Sequence, residues 1–203
     1  ILVSEVSPLP IAEGNGDVLG PIEIPKQSSE DPKEQKDPAN ASARPLRPPV
    51  ERPKPSAQVT WGVKMIYNDP LLVLPTGGEG VRVAILDTGI NANHPDLKNR
   101  LNECKDFTQA KSPIVNGKCD DGNGHGTHVA GIIAGDGGSD HFGIYGVAPQ
   151  AQILAYKVCG NSGTCWSDDI AIAIKDAAVS GVQVINLSLG SDAKSSLIVD
   201  AVD

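Results

Sequence analysis

The chain has 203 residues, a net charge of −8, and 39% apolar residues. This composition fits one ordinary soluble domain with a tail. The acidic balance excludes nucleic acid as an expected partner, because no basic stripe is present to meet phosphates. No run approaches the roughly 20 apolar residues needed to cross a bilayer, so no membrane partner is expected either.

Residues 1–56 differ in composition from the rest of the chain. They hold 11 of the 16 prolines and none of the aromatic residues, and charges are interspersed among them. Such a segment buries too little apolar surface to offset the entropy of ordering. We therefore expect a disordered or polyproline-like linker, or the remnant of a propeptide, with order beginning near Gln58. Because the first residue is Ile1 and no charged-then-apolar signal segment precedes it, both ends are expected to be cuts in a longer precursor.

Three apolar, β-branched runs at residues 81–86, 152–158 and 182–189 predict strands that are buried on both faces. Helices are predicted to begin near Thr127 and at Ser167. In the second, Ser167 is the expected N-cap, residues 170, 174 and 178 share a face, and Gly181 ends the helix. This alternation of strand and helix predicts an α/β fold, a parallel sheet with helices on both faces.

Two residues lie at positions where catalytic residues are commonly found in such a fold. Asp87 directly follows the first predicted strand, and the carboxyl ends of parallel strands line a crevice. His125 lies between two glycines at a predicted helix start. A carboxylate on one ring nitrogen would fix the tautomer of a histidine base, leaving the other nitrogen for a proton from a nucleophile. Taken alone, Asp87 fits better a residue that supports its own turn, because such aspartates are common; the histidine motif downstream favours the catalytic interpretation.

Other kinds of site fit the sequence less well. A zinc site would pair His125 with His128 and borrow Asp120 or Asp121, but it lacks the glutamate of an H-E-x-x-H motif and a defined third ligand. A dinucleotide site fails because the glycines at 78 and 80 precede their strand rather than follow it. We therefore interpret His128 as structural.

The four cysteines do not have the spacing of a zinc site, since no C-x-x-C pair occurs. Two local disulfides in an exported protein and four free thiols in a cytosolic chain both remain open at this point. Among the three formal pairings, bridges between sequence neighbours are the economical choice. They would join Cys104 to Cys119 and Cys159 to Cys165.

From about residue 58 onward the chain resembles the subtilisin-like serine proteases, the subtilase family. The resemblance implies a three-layer α/β/α peptidase fold, of which residues 57–203 would be the N-terminal part. Acid and base motifs occur in the family's order, Asp first and then His. The segments that carry the likeness are residues 61–63 (Trp-Gly-Val), 83–90 (Val-Ala-Ile-Leu-Asp-Thr-Gly-Ile), 94–97 (His-Pro-Asp-Leu), 125–131 (His-Gly-Thr-His-Val-Ala-Gly), 146–149 (Gly-Val-Ala-Pro) and 184–190 (Val-Ile-Asn-Leu-Ser-Leu-Gly).

The resemblance assigns catalytic roles: Asp87 is the triad acid and His125 the general base. It also implies a substrate cleft in which an extended peptide pairs with two strands by β-augmentation. Ser188, Leu189 and Gly190 would form one side, and residues 160–164, with Gly163 and Thr164, the facing edge strand. The alternative is a structural role alone, in which Ser188 and Gly190 only end a strand.

The family's high-affinity calcium site is implied as well. Asp96 resembles a ligating aspartate, and Asp140 falls where a second carboxylate or amide ligand is expected. Carbonyls of Gly138, Phe142 and Ile144 would complete the oxygen shell, with Gln58 as a further group. The alternative is a solvated Asp96 beside a glycine-rich turn.

The third triad motif, a serine in a Gly-Thr-Ser-Met-Ala-x-Pro setting, occurs nowhere in the 203 residues. As it stands, the chain is therefore expected to lack peptidase activity, although its parent would be a secreted, monomeric serine endopeptidase stabilised by calcium. The alternative is a non-catalytic subtilase-like module that binds peptide or calcium.

Overall fold

The structure is a computed structural model that describes residues 9–12, as backbone, and residues 54–203. The interpretation of residues 1–56 as a linker therefore falls mostly outside the described part of the chain. The strands are β1 (Leu9–Ala12), β2 (Arg82–Asp87), β3 (Leu101–Asp106), β4 (Val115–Asn116), β5 (Gln152–Lys157), β6 (Cys165–Trp166), β7 (Val184–Leu187) and β8 (Leu189–Gly190), and the helices are α1 (Trp61–Tyr67), α2 (His125–Ala134), α3 (Ser167–Val179) and α4 (Ser196–Val202).

The main sheet has five strands in the order β4-β3-β5-β2-β7. β2 pairs in parallel with both β5 and β7, and β3 pairs in parallel with β5, while the short β4 is antiparallel to β3. The three predicted strands are confirmed as β2, β5 and β7. β3 was not predicted.

Side chains of the central strands alternate between two cores, as the pleat of a strand requires. Ala84 and Leu86 of β2 pack in the cluster that contains α3, whereas Val83 and Ile85 pack in the cluster that contains α2. The two helices therefore lie on opposite faces of the sheet. This is the three-layer α/β/α arrangement that was expected, and it places the carboxyl end of β2 beside the start of α2.

Two details of α3 differ from the prediction. Ser167 is the first helical residue rather than the N-cap, and its buried hydroxyl has no hydrogen-bond partner among the described residues. The buried stripe runs through Ile170, Ile174 and Ala177, so Ala178 is exposed where it was expected to face the core. The end of the helix is as predicted, with Gly181 just beyond it at a left-handed φ of +70°.

β7 is not buried on both faces, contrary to the prediction. Val184 and Leu187 are 47% and 38% exposed. The reason is position: β7 lies at the edge of the sheet and pairs only with β2 among the described strands.

The cysteines form the two disulfides that sequence proximity favours, Cys104–Cys119 and Cys159–Cys165. The first joins β3 to the loop before α2. The second closes the turn that leads into β6. Within the described part of the chain, no helix has the length and apolar character that crossing a membrane demands.

Candidate active site

The expected acid and base meet at the carboxyl end of β2. Nδ1 of His125 lies 2.7 Å from Oδ1 of Asp87, and the two side chains are 10% and 1% exposed. Oδ1 of Asp87 also accepts a hydrogen bond from the backbone N–H of Thr88 at 2.7 Å, and Oδ2 is buried with no hydrogen-bond partner among the described residues. Because a carboxylate only accepts, the proton of a neutral imidazole lies on Nδ1, and the buried negative charge stabilises the imidazolium.

Gly126 allows this close approach. A Cβ atom built on Gly126 would collide with the carbonyl oxygen of Gly89 and lie 3.1 Å from the carboxylate of Asp87. Only a residue without a side chain lets the first turn of α2 rest directly on the strand end that carries the acid.

The N–H groups in the first turn of α2 have no acceptor within the helix. They donate instead to side chains of the surrounding loops. The N–H of His125 donates to Oδ1 of Asn123 at 3.3 Å, that of Gly126 to Oγ1 of Thr88 at 3.0 Å, and that of Thr127 to Oδ2 of Asp121 at 2.9 Å. These contacts fix the helix start, and with it the backbone of His125, against the end of β2.

Sequence reasoning missed the importance of Asp121 and Thr88. Asp121 was considered only as a zinc ligand, although an acidic residue within an Asp-Gly-Asn-Gly turn before a predicted helix is a signal for capping. Burial by itself would raise the pKa of Asp121, but hydrogen bonds from Thr127, Gly124 and Thr88 lower that pKa below its usual value.

A buried lysine lies behind the acid. Lys157, which is 7% exposed, donates from Nζ to the carbonyl oxygen of Thr88 and to Oδ1 of Asn161. Burial lowers the pKa of Lys157, and the negative charges of Asp106 and Asp121 counter that shift. Thr88, the residue that follows Asp87, is thus held through both its hydroxyl and its carbonyl.

The expected cleft strands face each other, and a segment of the same chain lies between them. β1 pairs in parallel with β6 through Ile11 and Cys165, and in parallel with β8 through Leu9 and Leu189. Together they form a three-stranded sheet with β1 in the centre. The groove between β6 and β8 therefore has the width and the open backbone edges to hold one extended chain.

The facing strand is displaced from its expected position. Gly163 and Thr164 form the turn before β6, where the N–H of Gly160 donates to the carbonyl of Thr164 at 2.9 Å. The residues that pair with β1 are Cys165 and Trp166, and the disulfide between Cys159 and Cys165 closes the turn before them. On the other side, Leu189 and Gly190 lie in β8, and Ser188 falls between β7 and β8.

Among the residues expected to hold calcium, Asp96 has a buried side chain that contacts the loop containing the others. Oδ2 of Asp96 accepts the N–H of Ile144 at 3.0 Å, and a Cβ atom on Gly143 would collide with the same carboxylate. Nε2 of Gln58 donates to the carbonyls of His141 and Gly143 at 2.7 and 2.9 Å. Two distant parts of the chain, at Gln58 and Asp96, thus contact one loop.

This loop offers carboxylate and carbonyl oxygen atoms, the ligands that a hard cation such as Ca²⁺ prefers. Oδ1 of Asp140 accepts the N–H of Phe142 at 3.0 Å, and the carbonyl of Gly138 accepts the N–H of His141 at 3.1 Å. Each of these oxygens has a second lone pair for a metal. In the described ranges no three His, Cys, Asp or Glu side chains are grouped to hold a metal; a site here would draw mainly on carbonyls.

The chain is similar to known proteins over more than half of its length. Residues 78–203 match the profile of the Subtilase family. A subtilisin from Bacillus sp. (strain TA39) is 49% identical over 153 residues, covering 73% of this chain and 36% of that protein. An alkaline protease from Alkalihalobacillus alcalophilus is 38% identical over 175 residues, covering 82% of this chain and 43% of that protein.

A solved structure, sphericase, superposes with a TM-score of 0.69 at 53% identity, covering 72% of this chain and 49% of that one. A second, S41 psychrophilic protease, gives a TM-score of 0.67 at 47% identity. The chain spans less than half of the length of each of these four proteins.

Proposed function

This chain belongs to the Subtilase family, and we propose that it supplies the acid and the base of a serine endopeptidase, with Asp87 as the triad acid and His125 as the general base. One observation carries the proposal: the 2.7 Å contact between Nδ1 of His125 and a buried carboxylate oxygen of Asp87. The relatives named subtilisin and alkaline protease support the reaction class.

In this mechanism Asp87 holds the imidazole with its proton on Nδ1, so that Nε2 is the basic atom. A serine hydroxyl attacks the scissile carbonyl carbon and gives its proton to Nε2 of His125. The imidazolium then returns that proton to the leaving amine, and water releases the acyl group by the same steps. The 203 residues contain no serine in the family's nucleophile motif, so the proposal requires a serine from another part of the full-length protein.

The substrate in this proposal is an extended peptide in the groove between β6 and β8. The presence of β1 there supports the assignment, since it pairs by backbone hydrogen bonding with both walls. Leu189 and Gly190 would contribute one wall, and Ser188 and the turn at Gly163 and Thr164 would border the groove.

Calcium is proposed as a structural cofactor of the loop around Asp96. Asp96, Asp140 and the carbonyls of Gly138, Phe142 and Ile144 would hold it. When bound, the ion would neutralise the buried carboxylate of Asp96 and fix residues 138–144 against it.

We further propose that the protein is secreted and monomeric. The two disulfides support export, because such bonds persist in oxidising compartments.

The test is hydrolysis of an unfolded protein substrate by the protein made from the complete reading frame. His125→Ala should abolish turnover, by about 10⁶-fold, a magnitude known from subtilisin rather than from this structure. His128→Ala is the matched control: it removes an exposed imidazole from the same helix and should leave turnover nearly unchanged. A wild-type protein that binds peptide without cleaving it would instead establish a non-catalytic binding module.

A further inference from the structure

The carboxylate of Asp121 is the acceptor of five hydrogen bonds. Oδ1 accepts from Oγ1 of Thr88 at 2.8 Å and from the N–H groups of Asn123 and Gly124 at 3.1 and 2.8 Å. Oδ2 accepts from the N–H and the hydroxyl of Thr127 at 2.9 and 2.6 Å. Three of these five donors are backbone groups of the turn and the helix start that flank His125, so one side chain ties together the backbone on both sides of the base.

The same carboxylate is linked to the acid through Thr88. The hydroxyl of Thr88 donates to Asp121 and accepts the N–H of Gly126, and the N–H of Thr88 donates to Asp87. Thr88 is fully buried, so its hydroxyl cannot exchange these partners for water. A displacement of Asp121 would therefore move Thr88 and the start of α2 relative to one another, which is the relation that sets the contact between Asp87 and His125.

We propose that Asp121 is a positioning residue for His125: its carboxylate locks the turn at 121–124 and the first turn of α2 onto Thr88, and thereby holds the imidazole on Asp87. The inference rests on the proposed peptidase function for its kinetic consequences, although the geometry that it explains does not depend on that function. Asp121 need not touch substrate, and it is not proposed as a catalytic residue.

The variant Asp121→Asn tests this role with little change of shape. An amide has one acceptor oxygen, so in either orientation its NH₂ group faces at least one backbone N–H that the carboxylate now accepts. Misplacement of a catalytic group by about 1 Å costs on the order of 10²-fold in rate. We therefore expect kcat to fall about 10- to 100-fold while KM changes little. Asp120→Asn is the matched control, because Asp120 is exposed, carries the same charge next in sequence, and also acts on Lys157.

A spectroscopic measurement separates positioning from mere stabilisation. The proton of His125 on Nδ1, held toward Asp87, should give a downfield NMR signal in the wild type and in Asp120→Asn. In Asp121→Asn the signal should broaden or vanish, because a loosened imidazole exchanges that proton with water. Equal signals and equal kcat in the two variants would overturn the inference. A wild-type protein that shows the signal but no hydrolysis would instead count against the peptidase function alone.

If Asp121→Asn fails to fold, a second pair of variants keeps the inference testable. Thr127→Val removes one donor to Asp121, whereas Thr127→Ser retains it. The inference predicts a several-fold loss of kcat for the valine variant and near wild-type kcat for the serine variant. The same kcat for both variants would contradict it.

Discussion

At the scale of single residues, the contact between Asp87 and His125 depends on the absence of a side chain at Gly126. Gly126 lies between the carbonyl of Gly89 and the carboxylate of Asp87, where a Cβ atom finds no room. Gly131 is a second glycine of the same helix, and nothing lies within 4 Å of a Cβ atom built there. The same helix therefore contains one glycine that leaves no room for a Cβ atom and one that does.

Gly126→Ala should push the first turn of α2 away from β2. We expect a loss of about 1–3 kcal/mol in the free energy of unfolding from overpacking, together with a fall in kcat of about 10²-fold because the imidazole moves from Asp87. Gly131→Ala should raise the free energy of unfolding by about 0.5–1 kcal/mol, since alanine loses less backbone entropy on folding than glycine. Denaturant titration and steady-state kinetics on both variants check this. A Gly126→Ala protein with wild-type kcat would show that the close approach is not needed.

At the scale of elements, α3 begins with a conflict between its dipole and its surroundings. Asp168 and Asp169 stand in the first turn, where a helix dipole favours negative charge. Burial nevertheless raises the pKa of Asp169 to about 6, with further contributions from Asp168 and Asp106. Burial and repulsion therefore outweigh the dipole at this position.

Asp169→Asn should stabilise the protein at pH 7 more than at pH 4. The folded-state pKa of about 6 lies above the ordinary value of 3.8, so the folded state binds the proton more tightly. This group then makes stability fall as pH rises from about 4 to about 6, and the cost persists above that window. Because the side chain is partly exposed, we expect a gain of only about 1 kcal/mol at pH 7. Urea titrations at both pH values measure it, with Asp192→Asn as control, because Asp192 is exposed and does not contribute to the shift at Asp169. An equal gain at pH 4 and pH 7 would contradict the mechanism.

The strands show which elements can be predicted from the sequence alone and which cannot. β2 and β5 were predicted because their β-branched, apolar runs are buried on both faces. β3 was missed because its residues 101–106 mix charged and apolar side chains. Lys105 is accommodated by Glu103 of the same strand and by Asp176 of α3 and the hydroxyl of Tyr156, which belong to other elements. The strand opposite β8 lies at Cys165 and Trp166 rather than within residues 160–164, which form a turn closed by the Cys159–Cys165 disulfide. The roles of Asp87 and His125 were predicted from the family resemblance and from their places at a strand end and a helix start. The turn before α2 signals that Asp121 caps the helix, whereas the contact of Asp121 with Thr88 joins two loops that are distant in sequence and that no local pattern encodes.

At the scale of the whole molecule, the loop at 137–147 connects parts of the chain that are distant in sequence. The N–H of Tyr145 donates to the carbonyl of Gln58, the N–H of Val147 donates to the carbonyl of Ile132, and Asp96 accepts from Ile144. The beginning of the domain, the end of α2 and the segment after β2 are thus joined through one loop. An ion bound there would stabilise the folded domain as a unit, because the unfolded chain cannot assemble these groups.

Calcium should therefore raise the melting temperature of the full-length protein, measured in the His125→Ala background to prevent autolysis. At a concentration 100 times the dissociation constant, a ligand specific for the folded state adds about 2.7 kcal/mol, which corresponds to about 5–10 °C for a domain of this size. Asp96→Asn should abolish the difference between calcium and chelator, because the amide removes the negative charge that the ion would neutralise. Asp192→Asn, an exposed residue near the other end of the described chain, should keep it, and magnesium should have a smaller effect since it demands a tighter octahedral shell. Identical melts with calcium and chelator in the parent protein would remove the proposed site and leave Asp96 as a carboxylate held by hydrogen bonds to the loop alone.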